Sequence, residues 1–338
     1  MHELALPLLI GLIAVALAFD FLNGLHDAAN SIATVVATRL LSPVQAVLFA
    51  AFFNFAAYFL TLAFPGLHAV AETVGKGLIN QDAVTPAVIF GALGGAMFWN
   101  IVTWRKGIPS SSSHALVGGL IGAGVTHASV SSVEVGGLTK TLLAIVISPM
   151  LGMILAMLVM LASSWALRRA TARQADRRFR SLHLISSAAY SLSHGLNDAQ
   201  KTMGIITVLL YSQGLLGGEF HVPFWVVLSC QAAMALGTLS GGWRIVHTMG
   251  SKITRLTPAQ GFCAETGGAI TLFAATFWGV PVSSTHTITG AIVGVGAARR
   301  LSAVRWNVAS NIIIAWTVTL PAAAAIGAAT YWLTGLFI

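Results

Sequence analysis

The sequence has few charged residues and only two cysteines, and both shortages limit the kind of protein it can encode. Asp, Glu, Lys and Arg make up 8% of the 338 residues. An ordinary soluble domain carries about 25% of these residue types. A chain with so few cannot cover itself with solvated side chains, so a soluble protein is excluded. Cys230 and Cys263 lie in apolar segments without metal-ligand spacing, so neither a disulfide framework nor a structural metal site is expected.

Much of the sequence consists of long apolar runs. Hydrophobic residues make up 56% of the chain, and residues 83–102 and 142–167 form two of the longest runs. Both reach the roughly 20 residues that span a bilayer core. Residues 4–22 form a further run that is interrupted by Asp20 and has no basic segment before it. We expect it to be a retained helix rather than a cleaved signal, and we predict an all-α polytopic membrane protein.

The net charge of +8 comes from basic residues in the short links between apolar runs. Such residues meet anionic lipid headgroups, so a bilayer is the expected partner and nucleic acid is not. The most basic stretch, residues 168–180, is predicted to be cytoplasmic. If each half crosses the bilayer five times, fifteen of the 18 basic residues lie on that side, Lys76 and Lys140 lie opposite, and Lys201 lies within the membrane. Both termini are then periplasmic.

The two halves of the chain repeat two motifs at a nearly constant offset. Gly-Leu-His-Asp-Ala at residues 24–28 matches Gly-Leu-Asn-Asp-Ala at 195–199, and the Gly-x-Pro-x-Ser-Ser-x-His motif at 107–114 matches 279–286. Five crossings per half would place the halves in opposite orientations, which is a transporter architecture. The predicted domains are a first inverted repeat over residues 1–167, a cytoplasmic basic linker over 168–180 and a second inverted repeat over 181–338.

The first motif lies in a membrane segment of about thirty residues, which is long for one straight helix. We predict a break at Asn23–Gly24 and at His194–Gly195, because glycine permits an unwound geometry. Asp27 and Asp198 would then begin the resumed helices. An ionisable residue at membrane depth is a candidate functional residue, and this pair is symmetric.

Further ionisable residues accompany this pair. Lys201 lies three residues after Asp198 on the same helical face and is a candidate anion ligand, whereas Asn30 occupies the matching position after Asp27. The same lysine could instead neutralise Asp198. Glu265 and Asp20 are candidate sites for a coupling cation or proton.

The second motif predicts a short half-helix with proline in its first turn and hydroxyl groups at its N-terminus. Free backbone amides and hydroxyl donors are what an oxyanion needs. Two such half-helices from opposed repeats would converge near the midplane. Simple capping by serine is the alternative. The hydroxyl groups are those of Ser112, Ser113, Ser284 and Thr285, and the motifs end in His114 and His286.

The predicted site is negative before any substrate arrives. With Asp27, Asp198 and Glu265 ionised against Lys201, the net charge is about minus two. Like charges about 6 Å apart repel by roughly 3 kcal/mol per pair at an effective dielectric near 20. An anion therefore has to enter with a proton, a sodium ion or a bound divalent metal, and we predict cation symport.

The first motif at residues 23–31 and 195–202, together with the Pro-x-Ser-Ser-x-His motifs, resembles the inorganic phosphate transporter (Pit) family. The resemblance covers nearly the whole chain and implies phosphate uptake across a bacterial inner membrane. It implies no enzyme activity, no cofactor and no structural metal. The stricter family signature has Asn at His26. This variant is similar to members that couple to protons and accept metal-phosphate complexes, so co-transported H⁺ is favoured over Na⁺.

The resemblance assigns particular residues to the substrate and to the coupling cation. The implied substrate site consists of Asp27, Asn30, Ser31, Ser112, Ser113, Asp198, Lys201, Thr202, Ser284 and Thr285. The implied cation or proton site contains Asn23, Asp27, Asn197 and Asp198, to which the intramembrane acids Asp20 and Glu265 are added as candidates. Three histidines are further candidates at these sites: His26, His114 and His286.

Several alternatives stay open. Some short relatives carry sulfate, although phosphate can donate a proton to acceptor carboxylates and sulfate cannot. Sodium coupling and an anion channel are further alternatives. An intramembrane hydrolase is not expected, because catalysis needs one nucleophile and this motif is duplicated. Whether the chain forms a homo-oligomer is not readable from its sequence.

Overall fold

The computed structural model describes residues 5–334, except for the side chain of Pro65, and the regular structure in this range is helical. The prediction of an all-α protein is confirmed. The twelve helices are α1 (Leu6–Ala37), α2 (Pro43–Ala63), α3 (Ala69–Lys76), α4 (Pro86–Lys106), α5 (Ser112–Ala128), α6 (Val135–Ala166), α7 (Ala172–Ser212), α8 (Phe224–Ser240), α9 (Trp243–His247), α10 (Pro258–Phe277), α11 (Ser284–Arg299) and α12 (Trp306–Thr334). The chain termini, predicted to be periplasmic, lie outside the described residues.

Reciprocal capping interactions fix the start of three helices. The backbone N–H of Gln45 donates to the Ser42 hydroxyl at 3.4 Å, and the Gln45 side chain accepts from the Ser42 backbone N–H at 3.0 Å. Such a pair satisfies two amides that lack partners inside the helix. The same arrangement begins α7 at Thr171 and α10 at Thr257. Most of the predicted basic linker, residues 168–180, therefore forms the first turns of α7.

The two halves contain the same order of helices. A 21-residue α4 precedes the 17-residue α5 and the 32-residue α6. In the second half a 20-residue α10 precedes the 16-residue α11 and the 29-residue α12. Gly107 after α4 and Gly279 after α10 have φ of 65° and 66°, which glycine adopts without steric cost. This order agrees with a repeat, while the opposite orientation of the halves in a membrane stays a prediction.

The last long helix of each half packs against helices of the other half. Helix α12 packs against α4 and α5, and α6 packs against α10 and α11. Glycines allow the close approach, because a Cβ at Gly118 would overlap the backbone carbonyl of Leu320, and one at Gly290 would overlap that of Pro149. Each short helix is therefore held by a long helix of the other half.

The predicted break in the first segment of each half is wrong. Helix α1 continues through Asn23–Gly24, and α7 continues through His194–Gly195. The glycines serve close packing instead, since a Cβ at Gly24 would overlap the backbone of α8, and one at Gly195 would lie 2.5 Å from the carbonyl oxygen of Asn54 on α2. Asp27 and Asp198 consequently lie inside continuous helices rather than at the start of resumed ones.

Five helices of the described residues are long and apolar enough to cross a membrane: α1, α2, α4, α6 and α12. The bent pair of α8 with residues 243–252, which meet at 64°, would make a sixth span. The chain is therefore a multi-pass membrane protein. Five crossings in each half stay a prediction.

Candidate functional site

The short helices α5 and α11 begin deep inside the protein, beside the middle of α1 and α7. All ten residues predicted for the substrate site are buried, each with at most 3% of its surface exposed. Eight of them form one connected network of hydrogen bonds and ion pairs, which we call the central cluster. It consists of Asp27, Asn30, Ser112, Ser113, Asp198, Lys201, Ser284 and Thr285.

The N-caps of the short helices are the serines just before the predicted hydroxyl groups. The Ser111 hydroxyl accepts from the backbone N–H of His114 at 3.2 Å, and the Ser283 hydroxyl accepts from that of His286 at 3.2 Å. Capping therefore does not account for the four predicted hydroxyl groups, which are left for other contacts.

The two motif prolines do not lie in the first helical turn, so that prediction is wrong. Pro109 and Pro281 lie in the non-helical segments 108–111 and 280–283 that precede the short helices. Proline disfavours the helical conformation for the residue before it. It therefore keeps the chain extended between the preceding long helix and the cap.

Asp27 and Asp198 meet at the first turn of α11. The Ser284 hydroxyl lies 2.6 Å from Oδ2 of Asp198 and 3.4 Å from Oδ2 of Asp27. The Ser112 hydroxyl, at the first turn of α5, lies 3.1 Å from Oδ2 of Asp27 and 2.6 Å from the amide oxygen of Asn23. The symmetric carboxylates thus contact both short helices, and one hydroxyl group lies between them.

Lys201 joins this pair from the side of Asp198. Its ammonium group donates to Oδ1 of Asp198, to the Ser113 hydroxyl and, at 2.9 Å, to the carbonyl oxygen of Val282. These bonds use all three ammonium hydrogens. The lysine therefore neutralises Asp198 and also contacts Ser113, a residue predicted for the substrate site. This geometry is compatible with both roles expected from the sequence, namely neutralising Asp198 and binding an anion.

Asn30 orients the hydroxyl groups of α11. Its Nδ2 atom donates to the Ser284 hydroxyl at 3.2 Å and to the Thr285 hydroxyl at 2.9 Å. Since these oxygens accept from Asn30, their hydrogens are directed to the carboxylates, and Thr285 lies 3.4 Å from Oδ1 of Asp27. Both hydroxyl groups act as donors in this arrangement.

Each carboxylate of the central cluster is also paired with a histidine. Nδ1 of His26 lies 2.6 Å from Oδ1 of Asp27, and Nε2 of His194 lies 3.0 Å from Oδ2 of Asp198. On its other side, Nε2 of His26 lies 3.2 Å from the hydroxyl of Thr103. His26 is a candidate from the sequence, whereas His194 was predicted to be part of a helix break and not of the site.

A pattern in α7 could have identified the missing residues. Tyr190, His194 and Asp198 follow one another at intervals of four, which places them on one helical face. The Tyr190 hydroxyl donates to the backbone carbonyl of Ser284 at 3.1 Å, and its ring is stacked on that of His194 with 6.4 Å between centroids. Ser31, predicted for the substrate site, contacts His194 at 3.4 Å at the edge of the cluster.

Asp20 lies apart from the shared hydroxyl groups. Its carboxylate has no hydrogen-bond partner among the described residues and lies near the side chains of Asn23 and Thr202. The amide oxygen of Asn23 accepts from the Ser112 hydroxyl at 2.6 Å, which links this acid to the central cluster. Thr202 therefore lies beside Asp20 rather than among the substrate hydroxyls. Asn197 donates to Thr276 at 2.9 Å.

Glu265 forms a second buried polar group with its own partners. Its carboxylate accepts from the hydroxyl of Thr34 and, at 2.7 Å, from that of Ser186. Nε2 of His183 lies 3.4 Å from the same carboxylate. No hydrogen bond in the described residues joins Glu265 to Asp27 or Asp198, so the structure does not bring this predicted coupling residue into the central cluster.

The motif histidines His114 and His286 contact each other rather than the carboxylates. Their ring centroids are 4.6 Å apart, and the His286 ring is stacked on Trp316 at 3.7 Å. Their four ring nitrogens have no hydrogen-bond partner among the described residues. A role of these histidines toward substrate or proton stays a prediction.

The two carboxylates of the central cluster and the neighbouring His194 form the donor set of a cation site. Ligand atoms of Asp27, His194 and Asp198 all lie within 4.8 Å of one another, and all three residues are buried. Two carboxylates and an imidazole suit a proton or a divalent transition metal better than an alkali ion, which prefers oxygen ligands. The described side chains could hold a cation at this group.

Comparison with known proteins gives the chain a family. The sequence model of the phosphate transporter family matches residues 23–327. The chain is 66% identical over 333 residues to the "Probable low-affinity inorganic phosphate transporter" of Rhizobium meliloti, with 98% of each chain covered. A protein of the same name in Bacillus subtilis is 38% identical over 336 residues, with 99% of each chain covered.

A solved structure has the same architecture. It is titled "The sodium-dependent phosphate transporter" and is similar to this chain with a TM-score of 0.85 and 26% identity, covering 98% of this chain and 100% of the other. The family match extends over both repeated motifs and therefore includes every residue of the central cluster. The resemblance seen in the sequence is confirmed, and the chain belongs to the phosphate transporter family.

Proposed function

We propose that the chain is a secondary active transporter that imports inorganic phosphate across a bacterial inner membrane together with a proton. Its membership of a transporter family supports phosphate transport, as do the names of its relatives. The observation that carries the proposal is the pair of carboxylates that reach one hydroxyl group, with Ser284 at 2.6 Å from Asp198 and 3.4 Å from Asp27.

The donors that a phosphate would use are occupied by these carboxylates. Thr285 donates to Asp27, and Ser284 lies between both acids. Ser112 lies 3.1 Å from Asp27 and donates to the amide oxygen of Asn23. Phosphate offers several acceptor oxygens and would compete for the same hydrogens. Substrate and ionised carboxylates therefore exclude each other at this site.

The charge of the central cluster also opposes phosphate binding while both carboxylates are ionised. Asp27 and Asp198 together with Lys201 leave a net charge of about minus one, and Glu265 is a further buried acid. At about 6 Å and an effective dielectric near 20, each carboxylate repels a unit negative charge by roughly 3 kcal/mol. A cation that neutralises Asp27 or Asp198 removes this repulsion and releases the hydroxyl donors, so cation and anion binding support each other.

The two histidines favour the proton as this cation. His26 and His194 lie 2.6 Å and 3.0 Å from the two carboxylates, and an imidazole can share or carry a proton in such a pair. Sodium prefers oxygen ligands and would gain little from either ring. Entry of phosphate as a metal complex is a second candidate, because Asp27, His194 and Asp198 could hold the divalent ion during transport.

The repeated helix order supports a transport cycle in which two equivalent groups of helices move against each other. The proposed repeats are residues 1–167 and 181–338, with both termini periplasmic. Helix α12 packs on α4 and α5, and α6 packs on α10 and α11, so a movement of one of these groups against the other displaces the first turn of α5 relative to that of α11. Alternating exposure of the central cluster would follow, as in other transporters built from inverted repeats.

We expect phosphate to accumulate in proteoliposomes along a proton gradient. A difference of one pH unit stores about 1.4 kcal/mol per proton, enough for about tenfold accumulation of phosphate per proton. The measurement is uptake of radiolabelled phosphate into vesicles with an acidic exterior and no sodium, at a clamped membrane potential. Parallel samples receive a sodium gradient at equal pH, or magnesium.

Each other outcome contradicts part of this proposal. Accumulation along a sodium gradient alone would show that sodium is the coupling ion, and uptake only with magnesium would indicate a metal-phosphate complex. Labelled sulfate that accumulates while phosphate does not would contradict the substrate. Flux that neither saturates nor exceeds equilibrium would indicate a channel.

Replacement of His26 by Asn is expected to separate transport from coupling. Asn cannot share a proton with Asp27, so the proton-driven accumulation of phosphate should fall by about tenfold, the equivalent of one proton at one pH unit. Exchange of phosphate across the membrane without a gradient should continue. His127→Asn is the matched control, because His127 is exposed and contacts Tyr331 far from the cluster. Full accumulation in His26→Asn would show that His26 takes no part in coupling.

A further inference from the structure

A lateral cavity of about 620 Å³ lies between α4, α12 and the π-helical turn at Thr248–Lys252. No residue of the central cluster lines it, although Thr103, which contacts His26, lies in its wall. The lining residues are Trp99, Val102, Thr103, Lys106, Gly107, Ile108, Pro109, Thr248, Lys252, Val308, Asn311, Ile312, Ile314, Ala315 and Val318.

The polar end of this cavity is positively charged. Lys106 and Lys252 are both exposed, and neither ammonium group has an ion-pair partner in the part of the chain that the structure describes. No acidic residue lines the cavity. Asn311 is exposed in the same wall and offers a side-chain amide, whereas the Thr248 hydroxyl already donates to backbone carbonyl oxygens. This end therefore suits a negatively charged, hydrogen-bonding group.

The rest of the wall is apolar and opens to the side of the protein. Ile314 and Val318 on α12 are 59% and 44% exposed, and in a multi-pass membrane protein such residues face lipid. Ile312 and Val308 continue the apolar wall inward. A free inorganic anion gains nothing from such a wall, whereas an acyl chain does.

We propose that this cavity binds an anionic phospholipid, with the headgroup phosphate on Lys106 and Lys252 and an acyl chain along α12. The distribution of basic residues predicts that this end faces the cytoplasmic leaflet, where anionic lipids attract lysine and arginine near the surface. Lys106 belongs to the first half of the chain and Lys252 to the second, so the bound headgroup connects the two halves.

The test uses fluorescence quenching of the full chain by lipids brominated in their acyl chains. Trp99 lines the cavity, so a bound brominated chain should quench its emission. The purified protein is titrated in mixed micelles with brominated phosphatidylglycerol and, separately, with brominated phosphatidylcholine of the same chain length. The Trp99 contribution is the difference between the protein and its Trp99→Phe variant.

We expect phosphatidylglycerol to quench Trp99 at lower concentration than phosphatidylcholine does. Because each lysine near the surface contributes about 1 kcal/mol to anionic lipid binding, Lys106→Gln/Lys252→Gln should weaken phosphatidylglycerol binding roughly 30-fold. The control Arg299→Gln/Arg300→Gln removes two exposed charges outside the cavity and should leave the binding unchanged.

Three results would overturn the proposal. Equal quenching by both lipids would show that the cavity does not select anionic headgroups. An unchanged titration in Lys106→Gln/Lys252→Gln would remove the two lysines from the binding site. Displacement of brominated phosphatidylglycerol by millimolar inorganic phosphate would assign the lysines to the transported anion instead. The melting temperature of each variant is compared with that of the unchanged protein. Equal melting temperatures show that the exposed substitutions leave the fold intact.

Discussion

Replacement of Asp198 by Asn is expected to abolish phosphate uptake. The Asp198 carboxylate is fully buried and accepts hydrogen bonds from Lys201 and Ser284, and it lies 3.0 Å from Nε2 of His194. Asn at this position neither neutralises the lysine nor takes up a coupling proton. Removal of one partner from a buried ion pair costs about 3–5 kcal/mol of folding free energy. Because the carboxylate is also a proposed site of the coupling proton, we expect uptake into proteoliposomes to fall by at least about 100-fold, the equivalent of about 2.8 kcal/mol.

A second variant separates loss of function from loss of fold. In Asp198→Asn/Lys201→Gln both charges are removed, so no uncompensated ammonium group stays buried. We expect this variant to regain thermal stability relative to Asp198→Asn while phosphate uptake stays abolished. If either variant keeps more than about a tenth of the uptake rate of the unchanged protein, the loss corresponds to less than about 1.4 kcal/mol. A loss this small would show that the Asp198 carboxylate is not required for transport.

Much of the central cluster could be predicted from the repeat in the sequence. Two motifs separated by the same interval in each half have to meet if the halves pack symmetrically, and Ser112 and Ser284 do contact Asp27. Lys201 was predictable for a different reason, because a lysine three residues after Asp198 on a helix reaches that acid. Local spacing and symmetry thus carried the prediction.

Residues that depend on tertiary contacts were less predictable. Glu265 is one of few acids in an apolar chain, yet its partners Thr34 and Ser186 come from α1 and α7 and form a separate polar group. His194 looked like part of a helix break, and only the continuous α7 shows that it lies on the same face as Asp198. Sequence spacing cannot decide such questions until the course of the helix is known.

Glycine was the most ambiguous signal, because the same residue permits a helix break and a close helix contact. Helix α1 is continuous at Gly24, and the position instead lies against the backbone of Met234 on α8. The contact is mutual, since a Cβ at Gly237 on α8 would overlap the carbonyl of Phe21 on α1. These two glycines let α1 and α8 approach closely enough to hold Asp27 in the central cluster.

Gly24→Leu is therefore expected to lower the free energy of unfolding strongly. The added side chain has to separate α1 from α8, and overpacking of this kind costs about 3 kcal/mol. The measurement is unfolding of the purified protein by denaturant in detergent. Gly11→Leu is the matched control, because Gly11 lies on the same helix with no atom within 4 Å of an added Cβ. Equal stability of the two variants would show that Gly24 makes no packing contact of this kind, and a role in bending α1 would again be the better explanation. A decrease in the free energy of unfolding in Gly24→Leu but not in Gly11→Leu would establish that Gly24 is required for close packing of α1 against α8.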